Sequence, residues 1–208
     1  MWCVMGLYKE YIVPWLTHLA MKQGRLVPYR KRIVPGAVGR VLEVGIGSGL
    51  NLPFYGNGII QVVGLDPSPK LLEMARRAQR QMSIPLTLIE ASAEHIPIED
   101  RSIDTVVTTW TLCTIPDVLR ALAEMRRVLK PGGHLLFAEH GRAPEPSVQR
   151  WQDRLTPAWK HVSGGCHLNR GVSELIQNAG FCVEWLDTGY MPGPKPMTFM
   201  YEGRARPR

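Results

Sequence analysis

The chain lacks an apolar run long enough to form a membrane-spanning helix. No segment approaches the roughly 20 consecutive apolar residues that cross a bilayer. Residues 1–21 also lack the basic start and the small-residue cleavage site of a secretory signal. We therefore expect a cytoplasmic protein, and leave open a peripheral position at the inner face of a membrane.

Cysteine is scarce and scattered along the sequence. The four cysteines, Cys3, Cys113, Cys166 and Cys182, show neither the CxxC spacing of a zinc site nor the density of a disulfide framework. We therefore expect a reducing compartment and no bound metal ion.

Acidic residues are almost absent from the first 40 positions. Seven basic side chains stand there against Glu10 alone, whereas residues 41–140 hold nine basic and eleven acidic side chains. A solvated basic face, or contact of residues 1–35 with an anionic membrane, explains this excess as well as nucleic acid does. Because no nucleic-acid-binding module accompanies the charge, we do not expect a nucleic acid partner.

A short apolar segment that runs into three glycines is the most informative feature present. Residues 41–44 are mostly apolar and β-branched, as a strand buried on both faces requires, and Gly45, Gly47 and Gly49 follow. A dinucleotide fingerprint needs glycine at the first, third and sixth places, but the sixth place here is Leu50. The turn therefore predicts a nucleotide-like ligand that approaches the backbone closely, without indicating a dinucleotide.

A second apolar run, residues 60–65, ends at Asp66, nineteen positions beyond Gly47. An acidic side chain at this place can accept hydrogen bonds from both hydroxyls of a ribose. The alternative is that Asp66 only caps the helix opened by residues 67–68. The agreement in spacing between the two signals favours the ribose contact.

Strands and helices alternate along the rest of the chain, which predicts parallel βαβ units and a doubly wound α/β sheet. Ligands of such sheets bind at the carboxyl ends of the strands. The further strands are expected at residues 85–90, 103–109, 134–139, 181–186 and 196–203, and helices near residues 68–82 and 118–129.

The pattern E-x-G-x-G-x-G that begins at Glu43 resembles motif I of the class I S-adenosylmethionine (SAM) methyltransferases. Residues 41–49, 64–67, 92–97, 102–109 and 128–133 resemble successive motifs of the methyltransferase type 11 group. The resemblance implies SAM as methyl donor and S-adenosylhomocysteine as product. It also implies a Rossmann-like sheet, mostly parallel, of strand order 3-2-1-4-5-7-6 with an antiparallel carboxyl-terminal strand.

The same resemblance assigns cofactor contacts residue by residue. Gly45 and Gly47 would line the methionyl part of SAM, with Thr109 beside it, and the loop at Ser92 would hold the adenine. The family commonly has aspartate at the place of Ser92, whose hydroxyl can still accept a hydrogen bond. The candidate cofactor-binding residues are Glu43, Gly45, Gly47, Asn51, Asp66, Pro67, Ser92, Ala93 and Thr109.

The second half of the chain is similar to the membrane-associated thiol S-methyltransferases known as methyltransferase-like 7 proteins. This similarity lies in residues 107–115, 139–140, 151–152, 156–159 and 165–170. Those proteins carry a GxGxxN pattern as well, and here Gly47 is followed by Gly49, Leu50 and Asn51. The resemblance implies a thiol acceptor.

His140 and Glu139 are the candidate catalytic residues, because they follow the fifth strand at the edge where the acceptor would lie. An imidazole or carboxylate there can remove a proton from a thiol or amine. The alternative is that both only hydrogen-bond a neighbouring loop. The candidate substrate pocket consists of Tyr11, Cys113, Trp159, Cys166 and His167.

Cys113 is expected to be a pocket wall and not a nucleophile, since cysteine is often a small buried hydrophobe. Arsenite methylation would need several cysteines converging on one ion. Cys113 and Cys166 are able to converge, but a third cysteine is not evident.

We expect a single SAM-methyltransferase domain over residues 1–208, divided into four parts. These are an amino-terminal helical lid (1–35), a cofactor-binding core (36–141), a substrate cap (142–168), and a carboxyl-terminal helix and strands (169–208). The amphipathic apolar stripe in residues 1–21 packs on the core as a lid or lies in a membrane interface.

The sequence thus predicts methyl transfer to a small, lipophilic acceptor, with thiol sulfur favoured. Phospholipid or small-amine N-methylation is the alternative within enzymes. A non-catalytic SAM-binding sensor or partner module is the alternative outside them. The oligomeric state is left open.

Overall fold

A single seven-stranded sheet organises the chain, of which a computed structural model describes residues 12–80 and 84–208. The strand order 3-2-1-4-5-7-6 confirms the prediction. The strands are β1 (Gly39–Val44), β2 (Ile59–Asp66), β3 (Leu86–Glu90), β4 (Ile103–Thr109), β5 (Leu129–His140), β6 (Phe181–Tyr190) and β7 (Phe199–Pro207).

Strand β1 lies at the centre of the parallel part of the sheet. It pairs in parallel with β2 on one side and with β4 on the other. Val41, Leu42 and Val44 are fully buried, as the apolar pattern of a strand covered on both faces predicts. The carboxyl ends of β1, β2, β4 and β5 therefore meet at one edge, where ligands of such sheets bind.

The carboxyl-terminal strands are antiparallel, as expected. Strand β7 lies between β5 and β6 and runs against both. Both strands are longer than predicted, and β7 begins only at Phe199 because Pro196 belongs to a short helix. Strand β5 begins at Leu129 and not at His134, since Leu129 already pairs with Ile103 before a register shift.

Seven α-helices lie among the described residues, and none of them is long and apolar enough to cross a bilayer. They are α1 (Val13–Met21), α2 (Val27–Ile33), α3 (Pro69–Gln79), α4 (Val118–Val128), α5 (Pro146–Val162), α6 (Val172–Asn178) and α7 (Lys195–Thr198). Helix α4 buries Ala121, Leu122 and Met125, which recur at helical spacing, against the sheet.

Helix α3 begins with a side-chain cap that Asp66 does not supply. The N-cap residue is Ser68, whose hydroxyl accepts a hydrogen bond from the backbone N–H of Leu71. Pro69 occupies the first turn, where its missing N–H is not needed. Asp66 is therefore not the N-cap residue of this helix, and its contact with a ribose stays a prediction.

The amino-terminal helices α1 and α2 are connected to the sheet by specific polar contacts. The guanidinium of Arg32 donates to both carboxylate oxygens of Glu202 in β7, at 2.9 and 2.7 Å. Glu202 is buried, and the fork-to-fork geometry suits a carboxylate. Helix α2 is thus fixed to β7.

Candidate active site

The glycine turn after β1 provides an open cradle. Gly45, Gly47 and Gly49 all have positive φ, at 72°, 54° and 78°. A Cβ at Gly47 would point into open space, with no atom nearer than 3.9 Å, whereas a Cβ at Gly49 would lie 3.2 Å from the Cα of Ala75. Gly49 therefore allows the close packing against a helix that a dinucleotide fingerprint assigns to glycine at the sixth place, which is Leu50 here. Gly47 leaves room for a ligand.

Asp66 lies at the end of β2 beside this turn. Its two oxygens accept hydrogen bonds from the backbone N–H groups of Gly47, at 3.0 Å, and Ser68, at 2.8 Å. Burial raises the pKa of the carboxyl above its ordinary value, although these two bonds oppose the shift. Each oxygen retains a second lone pair, so the carboxylate is fixed in place and can still accept from a ligand hydroxyl.

Glu43 is buried beneath the turn in a network of polar side chains. It accepts hydrogen bonds from Asn51 Nδ2, at 2.9 Å, and from the Tyr55 hydroxyl, at 2.7 Å. Asn51 Nδ2 also donates to Thr109 Oγ1 at 3.0 Å. Burial raises the pKa of Glu43 to about 7 despite these hydrogen bonds. Three sequence-predicted residues therefore form one network with Tyr55, which the sequence reading did not single out.

Arg30 of α2 is a second residue of this network that the sequence did not predict, because it looks like one more member of the basic segment. Its Nε donates to Asn51 Oδ1 at 3.0 Å, and its Nη2 donates to the carbonyl of Met21 at 3.0 Å. Its guanidinium also lies 4.9 Å from the ring centroid of Trp110. Trp110 has a positive φ of 50°, a strained conformation for a bulky residue that occurs preferentially at functional sites.

The loop after β3 holds two more predicted cofactor residues. The exposed Ser92 donates to the carboxylate of Glu94 at 2.8 Å and accepts from the Glu94 backbone N–H at 3.2 Å. Ala93 is buried, and Pro67 is exposed just beyond Asp66. The Ser92 hydroxyl is thus engaged in shaping its own loop.

The amino-terminal segment reaches the glycine turn directly. Nδ1 of His18 in α1 and Oγ of Ser48 form a hydrogen bond of 2.7 Å. Tyr11, which was predicted to line the acceptor pocket, lies outside the described residues. The contact joins helix α1 to the turn, and the function of this segment as a lid stays a prediction.

Glu139, one of the two catalytic candidates, is fully buried and engaged with the loop after β4. It accepts from the Thr108 hydroxyl at 2.8 Å and from the backbone N–H groups of Thr111 and Leu112, at 3.0 and 3.2 Å. Burial raises its pKa to about 7, against the effect of these bonds. This geometry favours a positioning role for Glu139, the alternative already considered from the sequence.

His140, the other candidate, is brought together with two cysteines. Its Nε2 lies 3.1 Å from the Sγ of Cys166, while its Nδ1 is buried with no hydrogen-bond partner among the described residues. The neighbouring thiol of Cys113 and the imidazole hold the pKa of Cys166 below its usual range. Burial lowers the pKa of His140, but the contact with Cys166 outweighs it and raises the value overall.

An apolar cluster surrounds the two cysteines. Cys113, Cys166 and Leu168 are buried together, and Leu155, Trp159 and Met197 pack against them. The predicted pocket residues Cys113, Cys166 and Trp159 are therefore neighbours. His167 is adjacent, with its Nδ1 3.1 Å from the carbonyl of Cys113, and burial lowers its pKa.

Gln152 fixes α5 over this cluster. The side chain is fully buried, accepts from the Ala143 backbone N–H at 3.0 Å, and donates to the carbonyls of Gly141 and Pro196 at 2.9 and 3.1 Å. A glutamine with all these partners inside the protein holds three chain segments together. Its helical position alone gave no signal for this role.

Known proteins match the chain in agreement with this geometry. A family model described as a methyltransferase domain matches residues 42–137. The human thiol S-methyltransferase TMT1B is 34% identical over an alignment of 210 positions. The alignment covers 90% of this chain and 86% of that protein. The chain belongs to the SAM-dependent methyltransferases.

Two further members of this methyltransferase family extend the comparison. The phosphatidylethanolamine N-methyltransferase of Cereibacter sphaeroides is 36% identical over 104 residues, which cover 49% of this chain and 51% of that protein. The solved structure of a SAM-dependent methyltransferase from Thermotoga maritima is 23% identical, with a TM-score of 0.66 and full coverage of both chains. This likeness shows the shared fold.

Membership in the family implies SAM as the methyl donor and S-adenosylhomocysteine as the product. The cradle at Gly47 and the lone pairs of Asp66 fit a nucleoside that approaches the turn closely. The glycine turn thus lies at the carboxyl end of β1, and the cluster of Cys113, His140 and Cys166 lies beside the ends of β4 and β5.

Proposed function

We propose that this enzyme transfers the methyl group of SAM to the sulfur of a small, lipophilic thiol. The observation that carries the proposal is the buried cluster at the carboxyl ends of β4 and β5, where apolar side chains surround two thiols and one imidazole. When bound, SAM supplies a methyl group on a sulfonium, which is an electrophile that needs no further activation.

Residues of the glycine turn and β2 would hold the donor. Asp66 is placed to accept the ribose hydroxyls, and Gly47 leaves the space through which the methionyl part reaches the backbone. Thr109 and Asn51 lie on the same side, joined by a hydrogen bond. Ser92 and Ala93 would contact the adenine.

The polarity of the acceptor side favours a thiol over an amine. A cationic amine would need a carboxylate as counter-ion, but the oxygens of Glu139 already accept three hydrogen bonds from the protein. An apolar thiol needs only apolar walls and the loss of one proton, because the thiolate is the nucleophile. His140 is the buried group that can assist this loss.

Turnover of a homologous series of acceptors tests the proposal. The purified enzyme is incubated with SAM and straight-chain alkanethiols of increasing length, or with the primary amines and alcohols of the same lengths. Formation of S-adenosylhomocysteine is measured by mass spectrometry. We expect turnover with the thiols alone, and kcat/KM rising about fourfold per added methylene until the pocket is filled.

Preference for the amines would support the N-methylation alternative instead. Tight S-adenosylhomocysteine binding without turnover of any acceptor would support the sensor alternative. An acceptor preference independent of chain length would contradict the lipophilic pocket, whichever atom is methylated.

We further propose that α1 associates with an anionic membrane surface from which a lipophilic acceptor would arrive. Ile12, Trp15, Leu16 and Leu19 are each 42–54% exposed, although they are large and apolar. Exposed Lys22 and Arg25 follow at the end of this helix. An amphipathic helix with tryptophan and flanking basic residues is typical of interfacial binding.

A further inference from the structure

We infer that Cys113, His140 and Cys166 form a zinc site whose open fourth position takes the acceptor thiol. This inference rests on the proposed function and says how the thiol is ionised. Scattered sequence positions hid the site, since the three ligands come from the loop after β4, the end of β5 and the loop after α5.

The spacing of the three ligand atoms suits one ion. The two Sγ atoms and the imidazole nitrogen lie within 4.8 Å of one another, and the Nε2 of His140 is 3.1 Å from the Sγ of Cys166. Zinc bonds of about 2.3 Å to sulfur and about 2.0 Å to nitrogen place these tetrahedral ligand atoms about 3.5–3.8 Å apart. Shifts of about an ångström or less in the side chains would close the site around zinc.

The three ligand groups are enclosed by protein. His140, Cys113 and Cys166 are 8%, 4% and 9% exposed. Besides its neighbour Cys166, the Sγ of Cys113 contacts the carbonyl of Trp110, at the long distance of 3.6 Å. Bulk water is therefore largely excluded from a group of ligand atoms that zinc prefers.

The backbone that carries the ligands is fixed by contacts beyond them. Glu139 accepts from the N–H of Leu112, and the backbone N–H of His167 donates to the carbonyl of Cys113 at 2.8 Å. The guanidinium of Arg170 donates to the carbonyl of Leu112. Such outer contacts orient metal ligands and make a site rigid before the ion binds.

The ligand set identifies the ion and the chemistry. Two thiolates and one imidazole are the protein ligands of one type of catalytic zinc site, which keeps its fourth position for water or substrate. Soft sulfur ligands disfavour Mg²⁺ and Ca²⁺. The fourth position would face Leu155, Trp159 and Met197, which pack against the two cysteines.

The reaction at such a site balances without another reactant. The acceptor R–SH releases its proton to solvent as its sulfur binds zinc. That sulfur then forms a bond to the methyl carbon while the bond between this carbon and the sulfonium breaks. The products are R–S–CH₃ and S-adenosylhomocysteine, and the neutral thioether is a weaker ligand that leaves the zinc.

Metal content tests the site independently of activity. The full chain, purified in zinc-containing buffer and dialysed, is expected to retain about one zinc per chain by mass spectrometry of the metals. Cys113→Ser, Cys166→Ser and His140→Ala should each lose at least tenfold in zinc affinity. Cys182→Ser is the matched control, because Cys182 is exposed and lies outside the cluster, and it should retain the metal.

Cobalt provides a second readout on the wild-type protein, so that the test does not depend on variants that fold. Cobalt(II) in this site should show the intense visible bands of tetrahedral coordination and a sulfur-to-cobalt charge-transfer band. Addition of an alkanethiol should change these bands, since the thiol enters the fourth position. Addition of the matching alcohol should not.

The possible results separate this inference from the proposed function. Methylation of thiols by protein that binds no zinc would overturn the zinc site and leave the thiol acceptor standing. Zinc bound without any turnover of thiols would overturn the proposed function while the metal site stands. A Cys113–Cys166 disulfide in metal-free protein, or a stoichiometric preference for copper(I) or arsenite over zinc, would also overturn the assignment.

Discussion

Arg30 Nε donates a hydrogen bond of 3.0 Å to Asn51 Oδ1, and this bond joins helix α2 to the segment that follows the glycine turn. Asn51 in turn donates to Glu43 and Thr109 through its amide nitrogen. A single amide therefore connects α2, β1 and the end of β4. Because the oxygen of this amide accepts a hydrogen bond and its nitrogen donates two, the orientation of the amide is fixed by its neighbours.

Replacement of Arg30 by alanine should lower both stability and donor affinity. The change removes the bonds to Asn51 and to the Met21 carbonyl, and it leaves Glu43 without its nearby positive charge. We expect a loss of about 2–4 kcal/mol in the free energy of unfolding, measured with urea. Arg25→Ala is the control, since Arg25 is exposed and, within residues 12–80 and 84–208, its hydrogen bond goes to the Pro192 carbonyl. An equal loss in both variants would contradict the network.

Glu43 should make the stability of the protein depend on pH. Its folded pKa of about 7 lies above the ordinary 4.5, so between these values the folded chain holds a proton that the unfolded chain has lost. The stabilisation is therefore complete below pH 4.5 and is lost as the pH rises through about 7. Glu43→Gln should remove on the order of 3 kcal/mol of this pH dependence.

The measurement is a set of urea unfolding curves between pH 4.5 and 8.5 for both proteins. Glu139 also has a raised pKa, but its contribution is common to the two and cancels in the difference. A difference between the proteins that stays constant with pH would show that Glu43 does not titrate in this range.

Asp66→Ala should weaken S-adenosylhomocysteine binding by about 1–3 kcal/mol, because hydrogen bonds to a charged acceptor are lost. Isothermal titration calorimetry measures this directly. Asp104→Asn is the control: Asp104 also accepts a backbone N–H, from Arg40, but lies at the opposite end of the strands. Equal affinities in wild type and Asp66→Ala would mean that the ribose lies elsewhere.

Gly47→Ala should affect the donor more than the fold. Gly47 and Gly132 both have positive φ, at 54° and 81°, and a Cβ at either meets no atom closer than 3.9 Å. Both alanine variants should therefore lose a similar 1–2 kcal/mol, roughly, from strain in the left-handed region. Only Gly47→Ala should in addition lose tenfold or more in S-adenosylhomocysteine affinity. Similar affinities in the two variants would place the ligand away from this turn.

The proposed membrane contact predicts a selective effect at α1. Trp15→Ala combined with Leu19→Ala should reduce co-sedimentation with phosphatidylserine-containing vesicles at least tenfold, because two exposed apolar side chains are removed. Trp151→Ala on α5 serves as the control, since Trp151 is equally exposed, at 56%. If the wild type fails to bind anionic vesicles at low salt, the stripe has another partner.

Local patterns in the sequence predicted the sheet well, and they singled out residues that lie together at the glycine turn. The alternation of apolar runs placed β1 and β2, and the spacing from Gly47 to Asp66 anticipated two groups that are now joined by a 3.0 Å hydrogen bond. Both features depend on short stretches of chain whose geometry follows from strand and turn periodicity. They needed no knowledge of contacts between distant segments.

The acceptor side was harder to predict because its contacts cross the chain. Cys113 and Cys166 are separated by more than fifty positions, and neither local sequence pattern predicts a contact with the other cysteine. Gln152 and Arg30 look like ordinary helix-surface residues until the buried carbonyls and amides they satisfy are known. Long-range polar contacts of this kind follow from how the loops fold over the sheet edge, which periodicity does not encode.

The double hydrogen bond between Arg32 and Glu202 holds an amino-terminal helix on the carboxyl-terminal part of the sheet. Helix α2 is fixed to β7 by this pair, whereas the contact of α1 with the turn passes through His18 and Ser48. Arg30 also donates to the carbonyl of Met21 at the end of α1, so the two helices are tied to each other as well as to the catalytic core at separate points.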